Sequence, residues 1–143
     1  MDFLKKLLGT EAENRVDYYR EGVDLLGVGR YHEALTSFRL ALRDEPGDVA
    51  IPLQIAIAYT RIGMTDEAAR TYNSVLERDP SASGAHYGLA FLMLSEGRKE
   101  EAEEHLRRFL ANPPEAEEAR RHLEHARATL GELKRERVGN EPS

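Results

Sequence analysis

The sequence lacks cysteine, long apolar runs and any excess of basic charge. Without cysteine the chain forms no disulfide, no thiolate metal site and no cysteine nucleophile. No stretch approaches the ~20 apolar residues that a membrane-spanning helix needs. At the N-terminus, Lys5 and Lys6 interrupt the apolar centre that a signal peptide requires. The sequence therefore argues against a membrane partner and predicts a cytoplasmic protein.

Composition predicts one folded, soluble domain. The chain has 143 residues, of which 41% are hydrophobic and 32% charged, too apolar for a disordered tail and too charged for a membrane protein. Its 20 basic side chains are outnumbered by 26 acidic ones, which gives a net charge of -6. Because the two signs are interspersed and form no basic stripe, the sequence predicts no nucleic-acid partner.

Catalytic motifs are also missing. The sequence has no serine-nucleophile motif and no phosphate-binding glycine loop. His122 and His125 lie three residues apart with Glu118 one turn earlier, a spacing that could hold a metal ion, but such residues on a charged helix are more often solvated. The chain is therefore predicted not to be an enzyme and to need no cofactor and no metal.

The strongest positive pattern is a repeat of 34 residues. Three columns are identical at this spacing, namely Gly29, Gly63 and Gly97, then Ala34, Ala68 and Ala102, and finally Pro46, Pro80 and Pro114. A fourth column holds only small residues, Gly22, Ala56 and Ala90. A period of this length indicates stacked copies of one supersecondary unit.

Each column has a physical role in a pair of antiparallel helices. Small residues let two helix backbones approach closely. The glycines can adopt the left-handed conformation that ends the first helix of a pair, and the prolines stop the second. Asp48 and Thr65 have the side chains of N-caps. The predicted helices span residues 11–27, 31–44, 49–62, 66–78, 83–96, 99–111 and 115–135.

This pattern resembles the tetratricopeptide repeat (TPR) family, with three tandem repeats at about residues 15–48, 49–82 and 83–116. The resemblance implies an all-α fold, a right-handed superhelix of antiparallel helix pairs, within a domain of residues 10–135. An amphipathic helix over residues 115–135 resembles the cap that covers the end of a repeat array. Residues 136–143 are predicted to form a flexible tail. Where the family often has tryptophan early in the first helix, this chain has Tyr18, Pro52 and His86.

The resemblance also implies a concave groove lined by the first helix of each pair. Helical projection places mainly apolar side chains there, with polar residues at the edges. The predicted groove residues are Val16, Tyr19, Arg20, Val23, Leu26, Ala50, Leu53, Gln54, Ile57, Thr60, Arg61, Gly84, Tyr87, Phe91, Leu94 and Arg121. An exposed apolar surface of this size indicates an interaction site. The alternative is that the helical phase is shifted and these residues are ordinary core.

Some family members hold a partner's C-terminal carboxylate with a clamp of Lys, Asn and Arg in this groove. Here Tyr19 and Val23 stand where the Lys and Asn would be expected, which disfavours such a clamp. The predicted function is therefore a scaffold or adaptor that binds an apolar helix or peptide of another protein in the groove. The rival prediction is a structural homo-oligomer in which a neighbouring copy fills the groove.

Residues 1–9 are predicted to form a separate short amphipathic segment. Phe3, Leu4, Leu7 and Leu8 give it an apolar stripe, and Gly9 separates it from the next predicted helix. A helix this short needs a surface to cover. Three surfaces are open to it: a membrane, the outside of the repeats, or the groove of the same or a neighbouring chain, where it would support a homo-oligomer.

Overall fold

The computed structural model describes residues 16–142. That part of the chain contains seven α-helices and one 3-10 turn, with no β-strand among its residues. The helices are α1 (Tyr18–Gly27), α2 (Tyr31–Asp44), α3 (Ala50–Ile62), α4 (Thr65–Arg78), α5 (Ser83–Ser95), α6 (Lys99–Ala111) and α7 (Arg120–Gly139), and the 3-10 turn spans Glu117–Ala119. The helices form antiparallel hairpins stacked into a superhelix, which confirms the predicted fold class.

The repeated glycines end the first helix of each pair. Gly29, Gly63 and Gly97 have φ values of 81°, 92° and 75°, and among residues 16–142 no non-glycine residue has a positive φ. This left-handed conformation costs other residues energy because of their Cβ atom. The backbone therefore reverses direction at the same point in every repeat, as the 34-residue spacing predicts.

The predicted N-caps have mixed outcomes. The N-cap of α3 is Val49, which has no capping side chain, but Asp48 one residue earlier accepts a hydrogen bond of 2.8 Å at Oδ1 from the backbone N–H of Ala50. Thr65 is not an N-cap: it is the first residue of α4, and its hydroxyl donates to the carbonyl of Gly63 at 3.4 Å. The hydroxyl therefore supports the glycine turn and leaves the helix N-terminus without a side-chain acceptor.

The last helix differs from its predicted bounds. A helix was expected over residues 115–135, whereas a 3-10 turn occupies Glu117–Ala119 and α7 continues to Gly139. Pro113 and Pro114 cannot donate backbone hydrogen bonds, which delays the helix start. No glycine or proline interrupts residues 132–138, so the α-helix continues through them.

Three apolar clusters form a continuous core along the array. The first joins α2 and α3 around Phe38, the second joins α3 to α6 around Leu89, and the third joins α5, α6 and α7 around Phe109. The repeated small residues are fully buried at the crossings: Ala34, Ala56, Ala68, Ala90 and Ala102 are each 0% exposed. The close helix approach predicted from these columns is confirmed.

Helix α7 packs on α6 and covers the apolar end of the array. Ala126, Leu130 and Leu133 pack with Leu106 and Phe109 of α6. No helix among residues 16–142 combines the length and apolar character needed to cross a bilayer. Residues 1–9, for which a separate amphipathic segment is predicted, lie outside the described residues, as do residues 10–15 at the start of the first predicted helix.

Candidate protein-binding groove

A cavity of about 660 Å³ lies between α3 and α5, the first helices of the second and third repeats. We call it the α3–α5 cavity. Helices α4 and α6 form its floor, and the segment between α6 and α7 closes one side. Its lining residues are Leu53, Ile57, Thr60, Arg61, Thr65, Tyr72, Gly84, Tyr87, Gly88, Phe91, Leu92, Ser95, Phe109, Pro114, Ala119 and His122.

Two glycines of α5 allow Leu53 and Tyr72, two lining residues of the cavity, to pack against the helix backbone. A Cβ atom at Gly84 would lie 2.8 Å from Cδ2 of Leu53, and one at Gly88 would lie 2.3 Å from Cζ of Tyr72. Gly84 and Gly88 are four residues apart, so they lie on the same face of the helix. The missing side chains let α5 approach α3 and α4 closely.

The cavity has an aromatic wall at its C-terminal side. The ring centroids of Tyr87 and Phe91 are 4.8 Å apart, and the Tyr87 ring also lies 5.1 Å from that of Phe109. The imidazole of His125 stacks on Phe91 at 4.5 Å with an interplanar angle of 11°, and His122 contacts Tyr87 edge-on at 4.8 Å. Helix α7 therefore contributes to the wall through two histidines.

Polar contacts fix these rings. The hydroxyl of Tyr87 and Nδ1 of His125 are 3.1 Å apart. Burial raises the pKa of the Tyr87 hydroxyl, so it stays protonated at neutral pH and is available as a donor. The sequence pattern indicated solvated positions for His122 and His125. Both are exposed, but their rings also pack on the aromatic wall.

Polar lining residues lie near the C-terminal ends of α3 and α5 and at the start of α4. They are Thr60, Arg61, Ser95 and Thr65. The Thr60 hydroxyl donates to the carbonyl of Ala56 at 2.9 Å. Burial raises the pKa of Tyr72, opposed by a hydrogen bond with Thr60 and by the charge of Arg61. The cavity therefore changes from apolar to polar and cationic along its length.

The structure brings part of the predicted groove together. The predicted residues that line the α3–α5 cavity are Leu53, Ile57, Thr60, Arg61, Gly84, Tyr87 and Phe91. Leu53 and Ile57 also pack against the central core cluster, so each has one side in the core and one side in the cavity. For these two residues the groove prediction and the core alternative describe different sides of the same side chain.

The predicted residues of α1 lie elsewhere. Tyr19 and Leu26 pack against the first core cluster, and the Tyr19 ring lies 6.1 Å from that of Phe38. Val16 and Val23 are 51% and 37% exposed. Arg20 lies in a shallow depression of α1 beside acidic residues of the same helix. The cavity therefore belongs to the second and third repeats.

Four other predicted residues do not line the cavity either. Ala50 and Arg121 are exposed, Gln54 is half-buried, and Leu94 packs between two core clusters.

Several lining residues were missed from the sequence. Tyr72, Leu92 and Phe109 belong to core positions of the repeat and reach the cavity only by their edges. Pro114 and Ala119 come from the connection before α7, whose path no periodicity describes. Gly88 did carry a usable signal, because a second glycine one turn after Gly84 in the middle of a helix calls for a packing reason.

Potential metal ligands do not cluster in the described part of the chain: residues 16–142 contain no group of three His, Asp or Glu side chains arranged to hold an ion. A separate pair of histidines, the buried His86 and the half-buried His105, lies between α5 and α6. Nδ1 of His86 lies 3.0 Å from Nδ1 of His105, and Nε2 of His86 lies 2.9 Å from the carbonyl of Pro80. This pair connects two helices of the third repeat and lies outside the cavity lining.

The sequence profile of the tetratricopeptide repeat matches residues 25–82 and again residues 63–121, which together cover more than half of the chain. The chain belongs to the tetratricopeptide repeat family. The predicted family is therefore confirmed. A curated TPR relative is the photosystem I assembly protein Ycf3 of a Synechococcus species, which is 31% identical over 107 residues. That match covers 71% of this chain and 62% of Ycf3, and another curated relative is matched over only 14% of its length.

Solved TPR structures have the same fold. The secretion chaperone SycD of Yersinia enterocolitica, in complex with a peptide of the translocator YopD, superposes with a TM-score of 0.75 at 18% identity, over 96% of both chains. The second TPR domain of human RPAP3, in complex with an HSP70 peptide, has a TM-score of 0.66 at 20% identity, over 82% of this chain and 92% of that domain. At these identities the likeness establishes the fold.

Proposed function

We propose that this protein is a protein-interaction adaptor whose α3–α5 cavity binds an apolar helix or extended segment of another protein. The observation that carries the proposal is the cavity itself: about 660 Å³ of open space lined mainly by apolar and aromatic side chains. Binding sites of this kind gain affinity from burial of the partner's nonpolar side chains, and aromatic residues supply much of that energy. Tyr87 and Phe91 are the proposed anchors.

The structural relatives support this proposal. SycD was solved with a peptide of YopD and the RPAP3 domain with a peptide of HSP70, so proteins of this fold bind peptide segments of other proteins. In the present chain the open surface lies between the first helices of two consecutive repeats. These helices are the ones that the TPR resemblance assigns to the concave face.

Selection from a peptide library tests the proposal. Random dodecapeptides displayed at the N-terminus of a phage coat protein would be selected on the immobilised full chain. The selected peptides would then be synthesised and titrated by fluorescence anisotropy. We expect peptides rich in Leu, Ile, Phe or Val, whose binding is lost in a variant carrying Leu53→Ser and Ile57→Ser. A matched variant carrying Val28→Ser and Val138→Ser, two exposed apolar residues outside the cavity, controls for general loss of apolar surface.

Two results would contradict this function. One is the absence of any selected sequence. The other is binding that the Val28 and Val138 variant weakens as much as the cavity variant does. Circular dichroism of both variants shows whether the helices are retained.

The rival function, a structural homo-oligomer in which a neighbouring copy fills the groove, stays a prediction, and residues 1–9 are the segment that could support it. Its measurement is the molar mass of the full chain in solution, by light scattering, against that of a chain lacking those nine residues. A homo-oligomer that becomes a monomer on truncation would support the rival.

A further inference from the structure

The α3–α5 cavity contains no carboxylate among its described lining residues, although the chain has 26 acidic and 20 basic side chains. Its one permanently charged lining residue is Arg61, in the last turn of α3. A single cation beside an apolar surface favours a ligand with one negative charge at a defined distance from its apolar side chains. This charge distribution is the starting point for a finer description of the partner.

Arg61 has no acidic partner within the described part of the chain. Ion pairs engage several other arginines of residues 16–142, but none involves Arg61. Arg61 also borders a second depression, which contains Arg30 and Glu33. The carboxylate of Glu33 is already held there by Arg30 through two hydrogen bonds of 2.7 and 2.5 Å. The five N–H donors of the Arg61 guanidinium are therefore available to a ligand.

The hydroxyl groups beside Arg61 complement it. Thr60 and Ser95 donate their hydroxyl hydrogens to carbonyls of their own helices, at 2.9 and 2.6 Å. Each oxygen retains a lone pair that can accept a hydrogen bond from a ligand, although the Thr60 hydroxyl is also engaged with Tyr72. The N–H groups of an extended peptide can donate to them, whereas those of a helix are engaged internally. This end of the cavity fits an extended segment better than a helical one.

We infer that the partner segment is extended and carries an Asp or Glu side chain that pairs with Arg61, while its apolar side chains lie between Leu53 and Tyr87. This inference deepens the proposed function and rests on it. Leu53 and Arg61 are eight positions apart on α3, roughly 12 Å along the helix axis. An extended chain covers that distance in about four residues. The acidic residue and the main apolar anchor are therefore about four positions apart in the partner.

Charge also distinguishes two candidate occupants of the cavity, the acidic partner segment and residues 1–9 of the chain itself. Residues 1–9 contain Lys5 and Lys6 against the single carboxylate of Asp2. This net cationic segment has only the Asp2 carboxylate to pair with Arg61, and its two lysines are repelled by the guanidinium in a cavity without carboxylates. The acidic partner is therefore the better occupant on electrostatic grounds, and the N-terminal segment becomes a competitor to be measured.

The library selection provides the first test when it is repeated on two charge-reversal variants, Arg61→Glu and the matched control Arg121→Glu. Arg121 is an exposed arginine of α7 outside the cavity lining. We expect the natural chain and the Arg121 variant to select peptides with Asp or Glu about four positions from an apolar anchor. The Arg61→Glu variant should select Lys or Arg at that position.

Synthetic peptides give the affinities. A selected peptide, acetylated and amidated, would be compared with its Glu→Gln form. On the natural chain the Gln form should bind roughly three- to tenfold more weakly, since a charge-assisted hydrogen bond is lost. On Arg61→Gln the two forms should bind within about twofold of each other. A Gln peptide with a free C-terminal carboxylate should still bind more weakly than the Glu form, because the inference assigns the anion that pairs with Arg61 to a side chain.

Three results would overturn the inference. One result is that the natural chain selects apolar peptides without an enriched Asp or Glu, or that Arg61→Glu selects the same acidic peptides as the natural chain. Either outcome would show that Arg61 does not recognise the partner, while the proposed adaptor function would stand. A free carboxylate peptide that binds as tightly as the Glu form would reassign the anion to a chain terminus. A synthetic peptide of residues 1–9 that binds as tightly as the selected acidic peptides would make the chain its own ligand. Failure to select any cavity-dependent peptide would contradict the adaptor function as well.

Discussion

The backbone of Gly88 lies against the ring of Tyr72, so closely that a Cβ atom at position 88 would be 2.3 Å from Cζ and 2.5 Å from the phenolic oxygen. Tyr72 is only 3% exposed and packs in the central core cluster. It therefore has little freedom to move aside. This contact sets the distance between α4 and α5 and with it the depth of the cavity.

Gly88→Ala should destabilise the protein. Alanine gains about 1 kcal/mol over glycine within a helix, but overpacking a core typically costs about 1–3 kcal/mol. We expect a net loss of up to about 2 kcal/mol in the free energy of unfolding, measured by chemical denaturation. Gly131→Ala in α7 is the matched control, because its nearest new neighbour is a flexible arginine atom at 3.5 Å. The control should gain stability, and an equal gain at position 88 would contradict the assigned packing.

Removing the aromatic anchors should reduce binding more than helix content. The double variant Tyr87→Ser and Phe91→Ser loses ring contacts with Phe109 and His125, so some stability will be lost with it. The first and central core clusters do not depend on these rings. We expect a retained helical circular dichroism spectrum and at least tenfold weaker peptide binding. Loss of the helical spectrum would show that these residues act as core and not as groove.

Glu103 should contribute more to stability than its neighbour Glu104. The carboxylate of Glu103 is 5% exposed and accepts hydrogen bonds from Arg107 and from Arg137, the latter at 2.7 Å, which joins α6 to α7. Glu104 pairs with Arg108 on the surface. Glu103→Gln should cost about 1–2 kcal/mol of unfolding free energy, because a buried carboxylate loses its charge-assisted hydrogen bonds to two half-exposed arginines. Glu104→Gln should cost less than about 0.5 kcal/mol, and equal effects of the two substitutions would contradict the bridging role.

Acid should weaken the fold through His105. Burial lowers the pKa of His105, and the neighbouring His86 and Arg108 lower it further. The unfolded chain therefore takes up a proton at this residue at a higher pH than the folded chain does. As the pH falls through about 6.5, the free energy of unfolding should decrease until the lower pKa of the folded state is passed.

The variant His105→Gln isolates this effect from the carboxylates. The free energy of unfolding is measured for the variant and for the natural chain at each pH between 5 and 8. As the pH falls, the natural chain should lose more stability than the variant does. A difference that stays constant over this range would show that His105 titrates equally in both states.

The repeat frame was predictable from the sequence because it depends on local rules. A left-handed turn requires glycine, and a close helix crossing requires a small residue, so Gly63 and Ala68 identify their own places in the fold. Thr65 failed as a predicted N-cap because a threonine after a glycine turn has two acceptable hydrogen-bonding roles. Sequence alone does not choose between them.

The cavity was harder to predict because it depends on contacts between distant segments. Helical projection placed Ile57 and Phe91 on the right side of their helices. It also placed Val23 in the same groove, although the superhelix leaves that residue outside the cavity lining. Pro114 enters the lining through the path of a proline-containing connection, for which the sequence gives no periodic signal.

Helix α7 packs on α6 and also contacts the aromatic wall of the cavity, and this has a consequence for hydrogen exchange. Among the described helices α7 packs mainly on α6, and elements with few tertiary contacts open and exchange their amide hydrogens most readily. Its residues His122 and His125 also pack on the aromatic wall of the cavity. A segment bound against that wall will therefore slow hydrogen exchange along α7. The exchange rate of this helix then reports whether the α3–α5 cavity is occupied.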